Sequence, residues 1–433
     1  MLDPQEQLGR LKERIALINA RFSSFSTQPR RSENLLPHLQ SPRSFIEEWS
    51  TGQIVSNEFG PHFQTERLFP SHRPHGSADV GALAYLAHDL LDVLGPGEIR
   101  PVAPERWAFL DTETTGLMST GGSAYAFLIG VGRITREGFR VRQFFMRHYT
   151  EECSTLAALE AHLNEFDVLI TYNGKTYDQP LLETRYTLGR QPHPFLRLQH
   201  LDLLYGARRL WKLRGESCRL IQLEREILGY YRDGDLPGDL IPYVYFEYLR
   251  SHEARRLVPI FHHNAMDILT LACLTAIVPT AFRATDFQAL AQIGVKRGED
   301  LAGIARWLLA TDQPEQALGL LKRSIDTGLP DALLFRALWD VALIEKKLGC
   351  HAASVRVFTE LVSCTNPFRF RALEELAKHY EHEENDFALA LEFTNKALAA
   401  RPSSSLLHRR TRLEKRLAKP KARRAKSSHP LKH

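Results

Sequence analysis

The sequence predicts a mixed α/β domain, a central sheet flanked by helices, followed by an all-helical repeat region. Three observations carry this. An apolar run at 107–110 reads as a buried strand and ends in two acids, Asp111 and Glu113. Two alternating segments flank Arg136-Glu137-Gly138, a hairpin signal. In the C-terminal third a helical pattern recurs about every 36 residues.

At 433 residues the chain exceeds one ordinary core, so two or three domains are expected. The expected spans are an N-terminal helix and flexible linker (1–60), an α/β domain (61–280), helical repeats (284–418) and a basic, disordered tail (419–433). A composition of 43% apolar and 25% charged residues fits a globular protein. No apolar run is expected to span a bilayer, and the first residues lack a signal-peptide core. Five cysteines with no CxxC spacing exclude a zinc ribbon and a disulfide framework as readings, and point to the reducing cytoplasm. A net charge of +5 is compatible with nucleic acid without demanding it.

Residues 5–21 read as an amphipathic helix, and 23–43 as a Pro/Ser/Arg/Gln-rich linker. Weak strand signals follow, including 51–58. The His/Arg-rich stretch 67–76 reads mainly as an exposed loop, and 80–94 as a helix stopped by Gly95-Pro96-Gly97. Strands are expected at 107–111, 124–135 and 138–149, a helix at 151–164 and a strand at 168–172. Helices then dominate: 179–188, 202–213, 219–228, 241–250 and 257–278. Three strands followed by alternating elements match a mixed sheet flanked by helices. Beyond 284, Ala317, Ser354 and Ala390 fall where the second helix of each repeat meets its neighbour.

The chemistry-bearing residues lie in three motifs. On a strand, positions i and i+2 share a face, so Asp111 and Glu113 can reach one site. Thr114-Thr115-Gly116 then ends the strand. In the second motif a strand runs to Tyr172, Asn173-Gly174 turns, and Asp178 opens a helix with Gln179-Pro180 behind it. By itself Asp178 reads first as a helix cap. The third motif, Phe261-His262-His263-Asn264-Ala265-Met266-Asp267, is helical, with His263 and Asp267 four apart on one face. An acid beside Ile268, Leu269 and Leu271 is costly unless paired or metal-bound. Together Asp111, Glu113, Asp178 and Asp267 offer the oxygens that two hard divalent cations, Mg2+ or Mn2+, accept for phosphodiester hydrolysis, with a nearby His taking the proton from water.

These motifs resemble those of the DnaQ-like (DEDD) 3′–5′ exonuclease superfamily, with a ribonuclease H-like fold, and more narrowly the YprB-type ribonuclease H-like domain proteins. The residues that carry the likeness are Asp111–Leu117, the run from Ala124 to Gly132, the run from Tyr172 to Tyr186, His200-Leu201-Asp202 and His263–Asp267. The resemblance implies that Asp111, Glu113, Asp178 and Asp267 are the metal ligands and that a histidine is the fifth catalytic residue. His262 and His263 both compete for that place, and His263 stands nearer in register. Substrate contacts are expected from Thr114, Gly116, Leu117, Asn173 and Tyr177. Tyr172, Tyr177 and Tyr186 are candidates to stack on bases. The basic stretch Arg208-Arg209, Lys212 and Arg214 is a candidate phosphate track. Asp202 is either an outer support of the site or a helix cap. The implied function is metal-dependent 3′–5′ hydrolysis of single-stranded DNA or RNA, with a protein partner on the tetratricopeptide-like repeats. The alternative is a catalytically weak nucleic-acid-binding scaffold.

Overall fold

The computed structural model of the chain describes residues 45–95, 97–116, 124–215, 217–284 and 286–418. The expected N-terminal helix at 5–21, the Pro/Ser/Arg/Gln-rich linker at 23–43 and the basic tail lie outside them, whereas the end of the expected 1–60 linker span is instead a 3-10 turn, Ile46–Glu48, and a strand, Gly52–Asn57. Among the described residues, two compact units emerge: those of 1–208 with 216–283, and those of 209–215 with 284–433.

The first unit is built on a seven-stranded sheet: β1 (Gly52–Asn57), β2 (Gly60–Pro70), β3 (Trp107–Thr114), β4 (Ala126–Thr135), β5 (Gly138–Phe145), β6 (Val168–Thr171) and β7 (Gln199–Asp202). Its order is β1-β2-β5-β4-β3-β6-β7. β1 to β5 meander antiparallel up to β3, and β6 and β7 join β3 in parallel. The β4–β5 hairpin turns at Arg136-Glu137-Gly138, as its sequence predicts. β7 was not foreseen: four residues with a polar start give too little alternation to read as a strand.

Helices α1 (Glu152–Leu163), α2 (Asp178–Leu188), α3 (Leu203–Trp211), α4 (Leu220–Leu223), α5 (Ile241–Ser251) and α6 (Val258–Arg283) complete this part of the chain. α1 and α2 bury one face of the sheet, over Leu110, Ile129, Val131 and Phe144. α5 and the start of α6 help close the other over Phe63, Phe127 and Phe145. The expected helix at 80–94 is instead two short 3-10 turns, Gly81–Tyr85 and Leu90–Leu94. Leu86 between them is extended, while Leu83, Leu90 and Leu91 all reach the core. The expected helix at 219–228 is α4 followed by a π-helical turn, Glu224–Leu228. The helical stretch Ala254–Arg283 is long and apolar enough to cross a membrane, which corrects the expectation that no run is. Most of its apolar window is buried inside the protein, as in a core helix.

The second unit is helical: α7 (Phe287–Gln292), α8 (Gly298–Ala310), α9 (Pro314–Thr327), α10 (Asp331–Lys347), α11 (His351–Ser363), α12 (Arg369–His382), α13 (Phe387–Ala400) and α14 (Ser404–Leu417). From α8 on, each helix packs on its neighbour in sequence. In the turns of α8–α9, α10–α11 and α12–α13 a left-handed residue, Asp312, Gly349 or Asn385, sits two positions before the second helix. Ala317, Ser354 and Ala390 are buried, and the Ser354 hydroxyl donates to the Ala342 carbonyl at 2.8 Å. This shared geometry is the structural form of the repeat.

Candidate active site

β3 sets the first two acids. Asp111 pairs with Gly130 of β4 and Glu113 with Leu128, after which a register shift ends the regular ladder. Such bulges commonly re-aim side chains at strand ends. A side chain at Gly130 would lie 2.3 Å from both Asn264 Oδ1 and Ile268 Cδ1, and one at Gly132 would lie 2.5 Å from Ile268 Cγ2. The two glycines therefore let α6 press onto β4 beside β3. Asn264 Nδ2 donates to the Asp111 carboxylate at 2.9 Å and to its carbonyl at 3.2 Å. Gln143 Nε2 donates to Asn264 Oδ1 at 2.8 Å, and Thr65 donates to Gln143 Oε1 at 3.1 Å. A buried polar chain thus runs from β2 to Asp111 and fixes the depth at which α6 sits.

Asp178 arrives from the β6–α2 junction. Asn173 adopts a left-handed φ of 68°, which allows the tight turn. Buried Asp202 holds that turn, accepting from the Asn173 and Lys175 amides at 2.7 and 3.2 Å. It also accepts from the Leu204 amide at 3.1 Å, so it supports the turn and caps α3 together. The Asp178 carboxylate accepts from the Thr112 hydroxyl at 2.5 Å, which ties it to β3.

α6 brings the rest. His263 is nearly buried, and its Nδ1 lies 3.0 and 2.9 Å from the two carboxylate oxygens of Asp235. Its Nε2 is 3.5 Å from Asp267 Oδ2. His262 faces elsewhere, with Nδ1 3.1 Å from Arg67 Nη1. Asp267 also receives Arg232 Nη2 at 2.6 Å. Arg232 is almost wholly buried and pairs with Glu224 as well, through Nε at 2.7 Å and Nη2 at 3.0 Å. Glu224 in turn meets His75 Nε2 at 3.1 Å and the Thr270 hydroxyl at 2.5 Å.

The acids repel one another. Burial raises Asp111 well above the ordinary carboxylate range, and the charges of Asp267 and Asp178 add to it. Burial does the same to Glu113, reinforced by Asp111, Asp267, Asp178 and Asp235. Asp178 is pushed up to about 6, again mainly by burial. Burial alone would lower the His263 imidazole. The Asp235 hydrogen bond and the charges of Asp267 and Asp235 outweigh it, so its pKa lies above the usual value.

Strand end, junction and late helix thus deliver Asp111, Glu113, Asp178 and Asp267 to one electrostatic neighbourhood. Among the described residues, no three His, Cys, Asp or Glu side chains are already gathered as a ligand set. The donor chemistry nevertheless fits a hard divalent cation: all-oxygen, acid-rich, and destabilised by its own charge without a counter-ion.

The other expected residues separate. The Thr114 hydroxyl donates to the Gly116 carbonyl at 3.2 Å, closing the turn after β3. Leu117 lies outside the described residues. Tyr177 is half exposed and open to a ligand. Tyr186 is fully buried with its hydroxyl on the Leu156 carbonyl, which corrects its reading as a stacking residue. The Tyr172 hydroxyl donates to the Cys218 carbonyl at 2.5 Å. Arg214 is committed to an ion pair with buried Asp300, which removes it from the phosphate track. His75, expected in an exposed loop, is buried at the foot of the Glu224 network. Glu224, Arg232 and Asp235 were missed altogether. The only signal for Arg232 and Asp235 was a concentration of charge in the Gly/Pro-interrupted stretch 229–238, and Glu224 lay unmarked in the expected helix 219–228.

The family comparisons agree with this architecture. The RNase_H superfamily pattern matches residues 108–278, from the second residue of β3 into the last turns of α6. The chain belongs to this ribonuclease H superfamily, whose fold serves nucleic-acid-processing hydrolases that generally use divalent metals. A relative from Bacillus subtilis (strain 168), the uncharacterized protein YprB, is 34% identical over 295 residues, 67% of this chain and 68% of that protein.

Proposed function

We propose that the chain is a metal-dependent 3′–5′ exonuclease acting on single-stranded nucleic acid. The observation that carries this reading is the electrostatic crowding of Asp111 and Glu113 by Asp178 and Asp267, acids contributed by three separate elements. Asp111, Glu113, Asp178 and Asp267 would hold two Mg2+ or Mn2+ ions. When bound, such ions lower the pKa of water and stabilise the departing 3′ oxygen. The chain's own contribution is placement. Asn264 and Thr112 fix two of the carboxylates. His263 Nε2, on the acid side of the ring, is the atom that takes the proton as water oxygen bonds to phosphorus and the 3′ O–P bond breaks. Half-exposed Tyr177 offers a face for the terminal base, and Thr114, Gly116 and Asn173 shape the turns around it. The free cysteines Cys153, Cys218, Cys273, Cys350 and Cys364 support work in the reducing cytoplasm. The helical repeats offer a surface for a protein partner.

The competing reading is a catalytically weak nucleic-acid-binding scaffold. Arg232 favours it, because it already occupies one oxygen of Asp267. Matched DNA and RNA single strands labelled at the 5′ end decide between them. The exonuclease yields, with Mn2+ or Mg2+, a ladder receding from the 3′ end, absent with chelator and for Asp111→Ala. A scaffold binds both strands and leaves them intact, and a structure-resolving endonuclease yields internal fragments.

A further inference from the structure

We propose that Asp235 is the positioning residue of His263, an acid–imidazole dyad in which Asp235 fixes the ring so that Nε2 faces the carboxylate cluster. The inference rests on the nuclease reading for its consequence in catalysis, but its geometry stands independently. Both Asp235 oxygens lie within hydrogen-bond distance of Nδ1, at 3.0 and 2.9 Å. A carboxylate only accepts, so Nδ1 carries the proton in the neutral ring and Nε2 is left bare. Bare Nε2 is the atom 3.5 Å from Asp267 Oδ2. That nitrogen has room beside Gly238, where even an added Cβ would stand 4.0 Å from Nε2. The carboxylate is itself anchored, accepting from the Leu236 amide at 3.0 Å and from Arg232 Nη1 at 3.4 Å. Asp235 and His263 are both close to fully buried, so water competes weakly for the bond. The arrangement has no local sequence origin: its partners are 28 positions apart, one in a loop and one on α6.

The dyad gives Asp235 a role that a merely structural residue lacks: its effect on the rate runs through His263. The test is a double-mutant cycle on the full-length protein with a 5′-labelled single strand and Mn2+, using Asp235→Asn, His263→Gln and the pair. Asp235→Asn is expected to lower kcat about a hundredfold while leaving KM within about twofold. Asp235→Glu restores part of the loss. In the His263→Gln background, Asp235→Asn changes nothing further. Long-range 1H–15N spectra at alkaline pH supply a readout independent of activity. Wild type holds His263 as the Nδ1–H tautomer, and Asp235→Asn, whose amide can donate, shifts the population toward Nε2–H.

Equal losses of Asp235→Asn in both backgrounds, or a loss carried in KM, would overturn the proposal. So would an unchanged tautomer in folded Asp235→Asn protein. Wild type that fails to cleave at all refutes the nuclease reading instead, and the tautomer measurement still decides the dyad.

Discussion

Asp111 illustrates the tension stored at this site. Its carboxylate is surrounded by protein, faces Asp267 and Asp178, and has Asn264 as its neutral hydrogen-bond donor. The proposed function requires the charge that the fold disfavours. Asp111→Asn in chelator is therefore expected to raise stability by about 1–2 kcal/mol, as relief of active-site repulsion commonly does, while abolishing cleavage. Thermal melts with chelator check this, and an unchanged or lower melting temperature contradicts it. His162 shows the opposite case, a neutral group that the fold keeps neutral. Burial first and Arg142 second lower its pKa to about 4, and its Nε2 lacks a partner among the described residues. The unfolded imidazole titrates near 6.5, so between pH 6.5 and 4 the unfolded chain binds more protons and stability falls as pH drops. The cost is on the order of 3 kcal/mol at the acid end. His162→Phe, set between Phe144 and Phe166, is expected to flatten that stretch of the stability–pH curve. Denaturant titrations at pH 7 and 4.5 measure it, and an unaltered slope refutes it.

At the scale of elements, the meeting of α6 with β4 decides whether the acids converge. Gly130 and Gly132 permit the approach, and the Thr65–Gln143–Asn264–Asp111 chain sets its depth. Gly130→Ala places a methyl carbon 2.3 Å from Asn264 Oδ1 and Ile268 Cδ1. It is expected to cost about 1–3 kcal/mol and to reduce activity more than the stability loss explains, because Asn264 and Asp267 share the displaced helix. Comparing urea midpoints with cleavage rates tests this; a destabilised variant with full activity would show that the helix position is not critical. This is also the level at which the sequence was most readable. β3, β4, the β4–β5 hairpin, α1, α2 and α6 follow from apolar period and turn residues. β7 and the 3-10 turns at 81–94 do not, because four-residue strands and single turns are set by tertiary packing more than by local pattern. The three acidic motifs were legible because each is anchored to such an element: the end of β3, the start of α2 and the body of α6. Glu224, Arg232 and Asp235 were not, because a π-helical turn and an aperiodic loop aim them.

For the whole molecule, the α/β unit and the helical unit each carry their own core. The recurring left-handed turns at Asp312, Gly349 and Asn385 make the second unit a repeat array, and arrays of this kind serve as extended docking surfaces. Chemistry belongs to the first unit, where residues far apart in the chain, from Asp111 to Asp267, act on one another's charge. Manganese titration by calorimetry of the wild type, Asp111→Asn and Asp267→Asn tests that convergence most directly. Mn2+ is expected to bind the wild type, and either substitution is expected to weaken that binding at least about tenfold, or roughly 1.4 kcal/mol. Wild-type affinity in Asp267→Asn protein would place that aspartate outside the metal site and contradict the account.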